Sequence, residues 1–233
     1  MSTQCPEPEN QIAESLFHVK RIFHYPTPGH ANSILQPSVR ATYIDLAKAK
    51  KYALRALLDE GYQPGQFLEL HMRHGTQAEE PSIWPYGDGV SVWAKTVDEG
   101  IVTVEIETTP NTLGSVLDHG GDGRVKEPLF FLVQTTIDYA KDWSVGSRQT
   151  AIEGVFRTRD EAAARALTVL LGNKEGEREI KKSDFASYEE NAGQDDWPFD
   201  SNVMVHAVGE NGLNILVAVV ESAPAVHTWV ITG

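Results

Sequence analysis

The chain carries one cysteine in 233 residues, Cys5, so no intrachain disulfide can form. Cys5 lies in a polar stretch and reads as an incidental thiol; doing without disulfides fits a reducing compartment. Positive charge is also scarce. Twenty Lys and Arg stand against 33 Asp and Glu, a net charge of −13. Such a surface repels phosphate backbones and anionic lipid, so neither nucleic acid nor a membrane is an expected partner. Long hydrophobic runs are missing too. The longest, residues 215–220, is far below the about 20 residues that a membrane helix needs. Residues 1–15 are polar and hold Glu7, Glu9 and Glu14. They lack the basic and apolar regions of a signal peptide and the arginines of a transit peptide. The reading is therefore cytoplasmic, with the nucleus open.

Motifs of known chemistry are absent as well. Gly87-x-Gly89 precedes no phosphate-binding helix, and no Walker loop or Gly-x-Ser-x-Gly elbow occurs. Residues 118–123, Asp-His-Gly-Gly-Asp-Gly, lack the ligand spacing and closing Glu of a calcium loop and read as flexible acidic linker. His71-x-x-His74 would put two imidazoles on one helical face, but no further zinc ligand accompanies them. No metal and no cofactor is expected.

What is present is a repeat. Trp84-Pro85-Tyr86 and Trp197-Pro198-Phe199 are 113 residues apart. Val90, Val92 and Ala94 match Val203, Val205 and Ala207 at the same spacing, as do Tyr43, Ala49, Ala53 and Leu57 with Phe156, Ala162, Ala166 and Leu170. Phe17, Val19, Phe23 and Tyr25 fall 114 before Phe131, Val133, Ile137 and Tyr139, and Ile106-Glu107 falls 114 before Val220-Glu221.

Each copy begins with an alternating, one-face-buried strand. A short aromatic-bearing stretch follows (residues 41–44 and 154–157), then an Ala-rich helix. Thr158-x-x-Glu161 is a capping box and Asp45 the matching N-cap. Gly61 and Gly172 mark helix stops. Variable segments come next, the second with a helical signal over residues 183–190. Each copy then ends in a strand pair. The second pair turns at Asn211-Gly212, where both residues are expected at positive φ. The expected fold is α+β: two tandem β-α-β-β repeats in a pseudo-twofold arrangement, with antiparallel sheets each packed by a helix and one further short strand possible before each helix. The expected boundaries are a disordered tail at 1–15, repeat 1 at 16–110, a Gly-rich linker at 111–127, repeat 2 at 128–224, and a C-terminal strand or tail at 225–233.

Function is sought where the copies stop matching. Thr103, Glu105 and Glu107 stand on a face that is apolar in Val217-Ala218-Val219-Val220. Arg21 is assigned to the inward face of the first strand, opposite Thr135 of the other copy, with His18, Lys20 and His24 on the other side. A buried guanidinium needs a partner, and Glu105 or Glu107 is the candidate. Arg21, His18, Glu105 and Glu107 thus form either a structural ion pair or a small polar pocket in repeat 1. Trp84 and Trp197 read as aromatic anchors of core or interface.

Tandem β-α-β-β units, with His18 on the first strand and Glu107 on the last, resemble the vicinal oxygen chelate superfamily at the level of architecture. The resemblance implies a metal held by His and Glu at strand ends; in repeat 2 Glu221 is present and Leu132 replaces the matching His. The whole, with an aromatic stretch before an Ala-rich helix in each copy, also resembles uncharacterised fungal intracellular proteins with two tandem α+β repeats. The leading functional expectation is a binding or interaction protein for a protein partner or a small apolar ligand. The alternative is a small-molecule isomerase or lyase using the polar pocket of repeat 1.

Overall fold

The computed structural model describes residues 12–24, 37–73, 84–140, 147–172, 179–194 and 196–223. Cys5, His74 and the expected strand near residue 230 lie outside them.

The chain forms two five-stranded antiparallel sheets with few, short helices against them, an α+β architecture of two sheet units. The first contains β1 (Ser15–His24), β2 (Ser38–Tyr43), β3 (Phe67–Met72), β4 (Val90–Thr96) and β5 (Ile101–Pro110) in the order β2-β1-β5-β4-β3. The second contains β6 (Phe130–Asp138), β7 (Ser147–Phe156), β8 (Phe185–Glu190), β9 (Val203–Gly209) and β10 (Asn214–Glu221) in the order β7-β6-β10-β9-β8. Helices α1 (Leu46–Ala53) and α2 (Ala56–Asp59) follow β2, and α3 (Arg159–Ala166) follows β7.

Each unit is therefore β-β-α-β-β-β, where the sequence pattern predicts β-α-β-β. The short strand before each helix is a full sheet member. The second addition, β3 and β8, falls in the variable segments. These edge strands are exposed on much of both faces and so show no period-two burial. The helical signal over residues 183–190 proves to be one turn of 3-10 helix, Lys182–Asp184, followed by β8.

The ladders align the two units more finely than similarity does. A bulge interrupts β1–β2 between Val19 and Lys20, and β6–β7 between Leu132 and Val133. Val90 faces Glu105, and Val203 faces Ala218. All these equivalences are 113 apart (132 − 19, 203 − 90, 218 − 105). The spacing of 114 at the first and last strands is thus corrected to 113. Because side chains alternate along a strand, a slip of one residue exchanges the two faces. The partner of His18 is Phe131, of Lys20 Val133, of Arg21 Gln134 and of Glu107 Val220.

One face of each sheet packs on its own helix. Val19, Val92, Ala94, Val102 and Val104 enclose Ala49 and Ala53 of α1, and Leu132, Val205, Val217 and Val219 enclose Ala162 and Ala166 of α3. Alanine at these positions lets helix and sheet approach closely. The other faces meet. Leu16 and Val39 of the first unit join Phe131, Val133, Ile152 and Val155 of the second in one cluster. The 111–127 connection is not a free tether. Leu117 and Val125 are buried in that cluster, Val125 N donates to Thr42 O at 2.8 Å, and Ile44 N donates to Gly123 O at 3.1 Å.

Gly61, next after the C-cap of α2, takes positive φ (95°) as expected of a helix stop; Gly172 also has positive φ (96°) but lies beyond a turn, since α3 already ends at Ala166. The Asn211-Gly212 turn is different from its expectation. Gly212 has φ 79°, while Asn211 is not among the residues of positive φ, and Gly212 N bonds Gly209 O at 2.9 Å. The loop is one residue longer than a two-residue hairpin.

Candidate functional site

Strand β1 is buried on both sides, and its alternation decides what each charged residue meets. Phe17, Val19 and Phe23 face α1. Arg21 shares that face and pairs with Glu60, whose carboxylate also takes Arg40 Nε at 2.6 Å. The expected pairing of Arg21 with Glu105 or Glu107 does not form, because those carboxylates lie on the opposite face. Lys20 is opposite Glu105 across the ladder, and His18 is opposite Glu107.

On that opposite face Lys20, 2% exposed, reaches into the second unit. Its Nζ donates to Glu107 Oε2 at 2.8 Å, to Thr150 O at 3.0 Å and to Thr150 Oγ1 at 2.8 Å, with Glu105 Oε2 at 3.6 Å. Glu107 Oε1 accepts the Ile152 backbone N–H at 2.6 Å. Strand β7 is an edge of its sheet, and these two side chains bond backbone groups of that edge. An ammonium removed from water costs several kcal/mol unless its donors are used; here three hydrogen bonds and a second carboxylate supply the compensation.

His18 is fully buried beside this network. Nδ1 lies 3.0 Å from Thr42 Oγ1 and Nε2 lies 2.8 Å from Thr109 Oγ1, so a neutral ring donates through one nitrogen and accepts through the other. Phe131 packs edge-on at 5.2 Å. Burial first, and the Lys20 charge second, push the imidazole down to about 3. The ring is a neutral packing element with both nitrogens occupied.

Beyond Lys20 the same face opens. Ile22, His24 and Glu105 of the first unit, with Gln134, Thr136 and Arg148 of the second, line a cleft of about 470 Å³ whose wall continues along β7. Glu105 is 25% exposed there and accepts from Thr103 Oγ1 at 3.2 Å. Burial, then the Arg148 charge, lowers the affinity of His24 for a proton. The equivalent surface of the second unit is closed by an apolar cluster of Ile137, Val203, Leu216 and Ala218 under Trp197 and Phe199.

A wider groove of about 890 Å³ runs beside β2 and the connection. Three of its charges are answered within the chain: Arg40 by Glu60, Lys126 by Asp118 at 3.5 Å, and Glu127 by Arg157. Arg124 spans the Arg40 carbonyl at 3.1 Å and the Tyr52 ring at 5.5 Å.

The two tryptophans hold equivalent stations. Trp84 packs edge-on against Tyr86 at 4.9 Å, and Tyr86 stacks on Trp93 at 4.7 Å. Trp197 packs edge-on against Phe199 at 5.2 Å, and Phe199 lies 4.6 Å from His206. Each indole N–H is buried without a partner among the described residues. His71 belongs to strand β3, not to a helix, and lies 5.7 Å from Trp93. Among the described residues no group of three His, Cys, Asp or Glu could hold a metal ion, and no helix is long and apolar enough to cross a membrane.

The structure thus gathers Glu105 and Glu107 at Lys20, encloses His18 beside them, and sends Arg21 elsewhere. Sequence reasoning did not select Lys20, Glu60 or Arg148. Lys20 carried a signal, being a charge in phase with Leu16 and Ile22 on a strand of apolar neighbours. Arg148 carried none, since only the packing of β7 brings it to the cleft. No protein-family model, curated protein or solved structure matches the chain.

Proposed function

We propose that this chain is a binding protein, built from two diverged copies of one β-β-α-β-β-β unit about a pseudo-twofold axis, that takes a small polar molecule in the cleft beside Glu105. The observation that carries the reading is an asymmetry. Glu105 and His24 stand where the second unit has Ala218 and Ile137, and the cleft remains open only on the polar side. A small pocket with a few convergent polar groups suits a hydrogen-bonding ligand better than the apolar one suggested by composition. Binding is favoured over catalysis because His18 has no access and Lys20 and Glu107 have spent their hydrogen-bonding capacity on each other and on β7. The test is a screen of polar fragments by saturation-transfer NMR against the wild type and Glu105→Ala, which installs the residue of the other unit. Hits lost in the variant support the reading. A screen with no fragment shifting amides around Glu105 and Gln149 refutes it.

A proton-transfer isomerase or lyase is the second reading, favoured by the presence of the His24 imidazole and the Glu105 carboxylate in one cleft. It requires that a bound fragment exchange a C–H for deuterium in D2O at a rate that Glu105→Gln abolishes.

A further inference from the structure

The charges around the cleft are equal in number but are not all paired with one another, and the unpaired ones specify a ligand. Lys20 is one ammonium facing two carboxylates, at 2.8 Å for Glu107 and 3.6 Å for Glu105. Both Glu107 oxygens are engaged, one by Lys20 and one by Ile152 N. The network therefore holds one surplus negative charge, and it resides on Glu105, the more distant carboxylate, whose side chain reaches the cleft. The same cleft is lined by Arg148, a permanent cation that forms no ion pair among the described residues. Gln134, Thr136 and Gln149, groups that both donate and accept hydrogen bonds, also line it.

We infer that the cleft beside Glu105 and Arg148 binds a small zwitterion, a molecule carrying an amine cation and a carboxylate on one short chain. The inference rests on the binding reading above and names the ligand class of that cleft. A lone cation answers Glu105 and meets repulsion from Arg148; a lone anion does the reverse. A zwitterion satisfies both, and its carboxylate matches the planar donor fork of a guanidinium. Burial, then the Arg148 charge, lowers the proton affinity of His24 in the same lining, so it competes less as a cation. The second unit offers no counterpart, because Ala218 stands at the place of Glu105.

The experiment titrates the full chain with a length series, β-alanine, 4-aminobutyrate and 6-aminohexanoate, and with butyrate, butylammonium and 1,4-butanediol as controls. Binding is read from backbone amide shifts at residues 22–24, 134–136 and 148–151. One member of the series is expected to bind at least about tenfold more tightly than any control. Glu105→Gln and Arg148→Gln should each erase that margin while leaving the unperturbed amide spectrum of α3 intact. Arg148 lies outside the Lys20 network, so its variant keeps the test informative if Glu105→Gln destabilises the fold. Equal binding of butyrate, butylammonium or the diol at these amides overturns the zwitterion while leaving a polar binding cleft. No shift with any of the six overturns the zwitterion, and the fragment screen then decides separately whether the cleft binds at all.

Discussion

The faces by which the two units meet do the same job with different chemistry. In the first unit the positions are His18, Lys20, Glu105 and Glu107; in the second they are Phe131, Val133, Ala218 and Val220. Each unit also has an edge strand next to its first strand, β2 or β7, whose outer backbone groups need partners. On the β2 side backbone supplies them: Ala223 N donates to Val39 O at 2.9 Å and Val125 N to Thr42 O at 2.8 Å. On the β7 side Lys20 and Glu107 supply them. The contrast shows why a polar residue can sit in one copy of a core and an apolar one in the other. What has to be preserved is the satisfaction of the edge, not the residue type.

The comparison breaks most sharply at Lys20. Lys20→Met removes the ammonium and leaves the half-buried Glu107 against Ile152 with Glu105 beside it. The expected loss is about 3–5 kcal/mol of unfolding free energy, as for other broken buried pairs. Giving the first unit all three residues of the second, Lys20→Val with Glu105→Ala and Glu107→Val, removes the stranded carboxylates together. That triple variant should recover at least about half of the loss, since replacing a whole buried ion cluster by apolar side chains is often close to neutral. Urea titration of the three proteins checks both numbers. A triple variant no better than Lys20→Met would mean that the bonds to Thr150 and Ile152, rather than charge pairing, hold the β7 edge.

His18 sharpens the comparison through pH. Its folded pKa is lowered to about 3 from an ordinary value of 6.5. The folded state therefore binds fewer protons than the unfolded state between these values. The stability tied to the neutral ring is complete above pH 6.5 and is lost as pH falls through the window toward 3. The slope from this one group is at most about 1.4 kcal/mol per pH unit. His18→Gln keeps a donor and an acceptor for Thr42 and Thr109 but cannot titrate, so its stability should fall less steeply from pH 6.5 to 5. His24, lowered in the same direction, contributes in both proteins and cancels in the difference. Parallel curves for wild type and variant would show that His18 reaches protons without unfolding.

Much of this architecture was legible in the sequence. The two Trp-Pro dipeptides, the Thr158-Glu161 cap and the Ala-rich helices marked two similar α+β units, each with its first strand, helix and final strand pair in the right order, though each sheet holds two strands more than the β-α-β-β pattern. What failed was the phase of the first and last strands. Matching Phe17 and Val19 to Phe131 and Val133 maximises apolar similarity, yet the true equivalents pair His18 with Phe131 and Lys20 with Val133. Similarity is a poor guide where one copy has replaced an apolar face by a hydrogen-bonded one. Arg21 keeps the face assigned to it, with Phe17, Val19 and Phe23 toward α1, but its expected partners Glu105 and Glu107 prove to lie on the opposite face with Lys20 and His18. Strands β3 and β8 escaped because edge strands wet on both faces lack the alternation that marks a buried face. Arg148 escaped because its neighbours come from a different unit, a relation that spacing along the chain does not encode.

The smallest expected effect lies in the two hairpins. Glu99 and Gly212 are equivalent at the 113 spacing, and both take positive φ, 66° and 79°. Their loops close alike: Glu99 N donates to Thr96 O at 3.0 Å, and Gly212 N to Gly209 O at 2.9 Å. Among the described residues Glu99 is the only non-glycine in this region, where a Cβ meets its own backbone at a cost of about 1–2 kcal/mol. Glycine avoids that clash but loses more backbone entropy on folding, which offsets part of the gain. Glu99→Gly should therefore raise stability by about 0.5–1 kcal/mol, and Gly212→Ala should lower it by a similar or larger amount. Thermal melts of the two variants measure both. If Glu99→Gly is neutral or destabilising, the glutamate side chain makes a compensating contact in the first hairpin, and the two turns differ in more than their residue at this position.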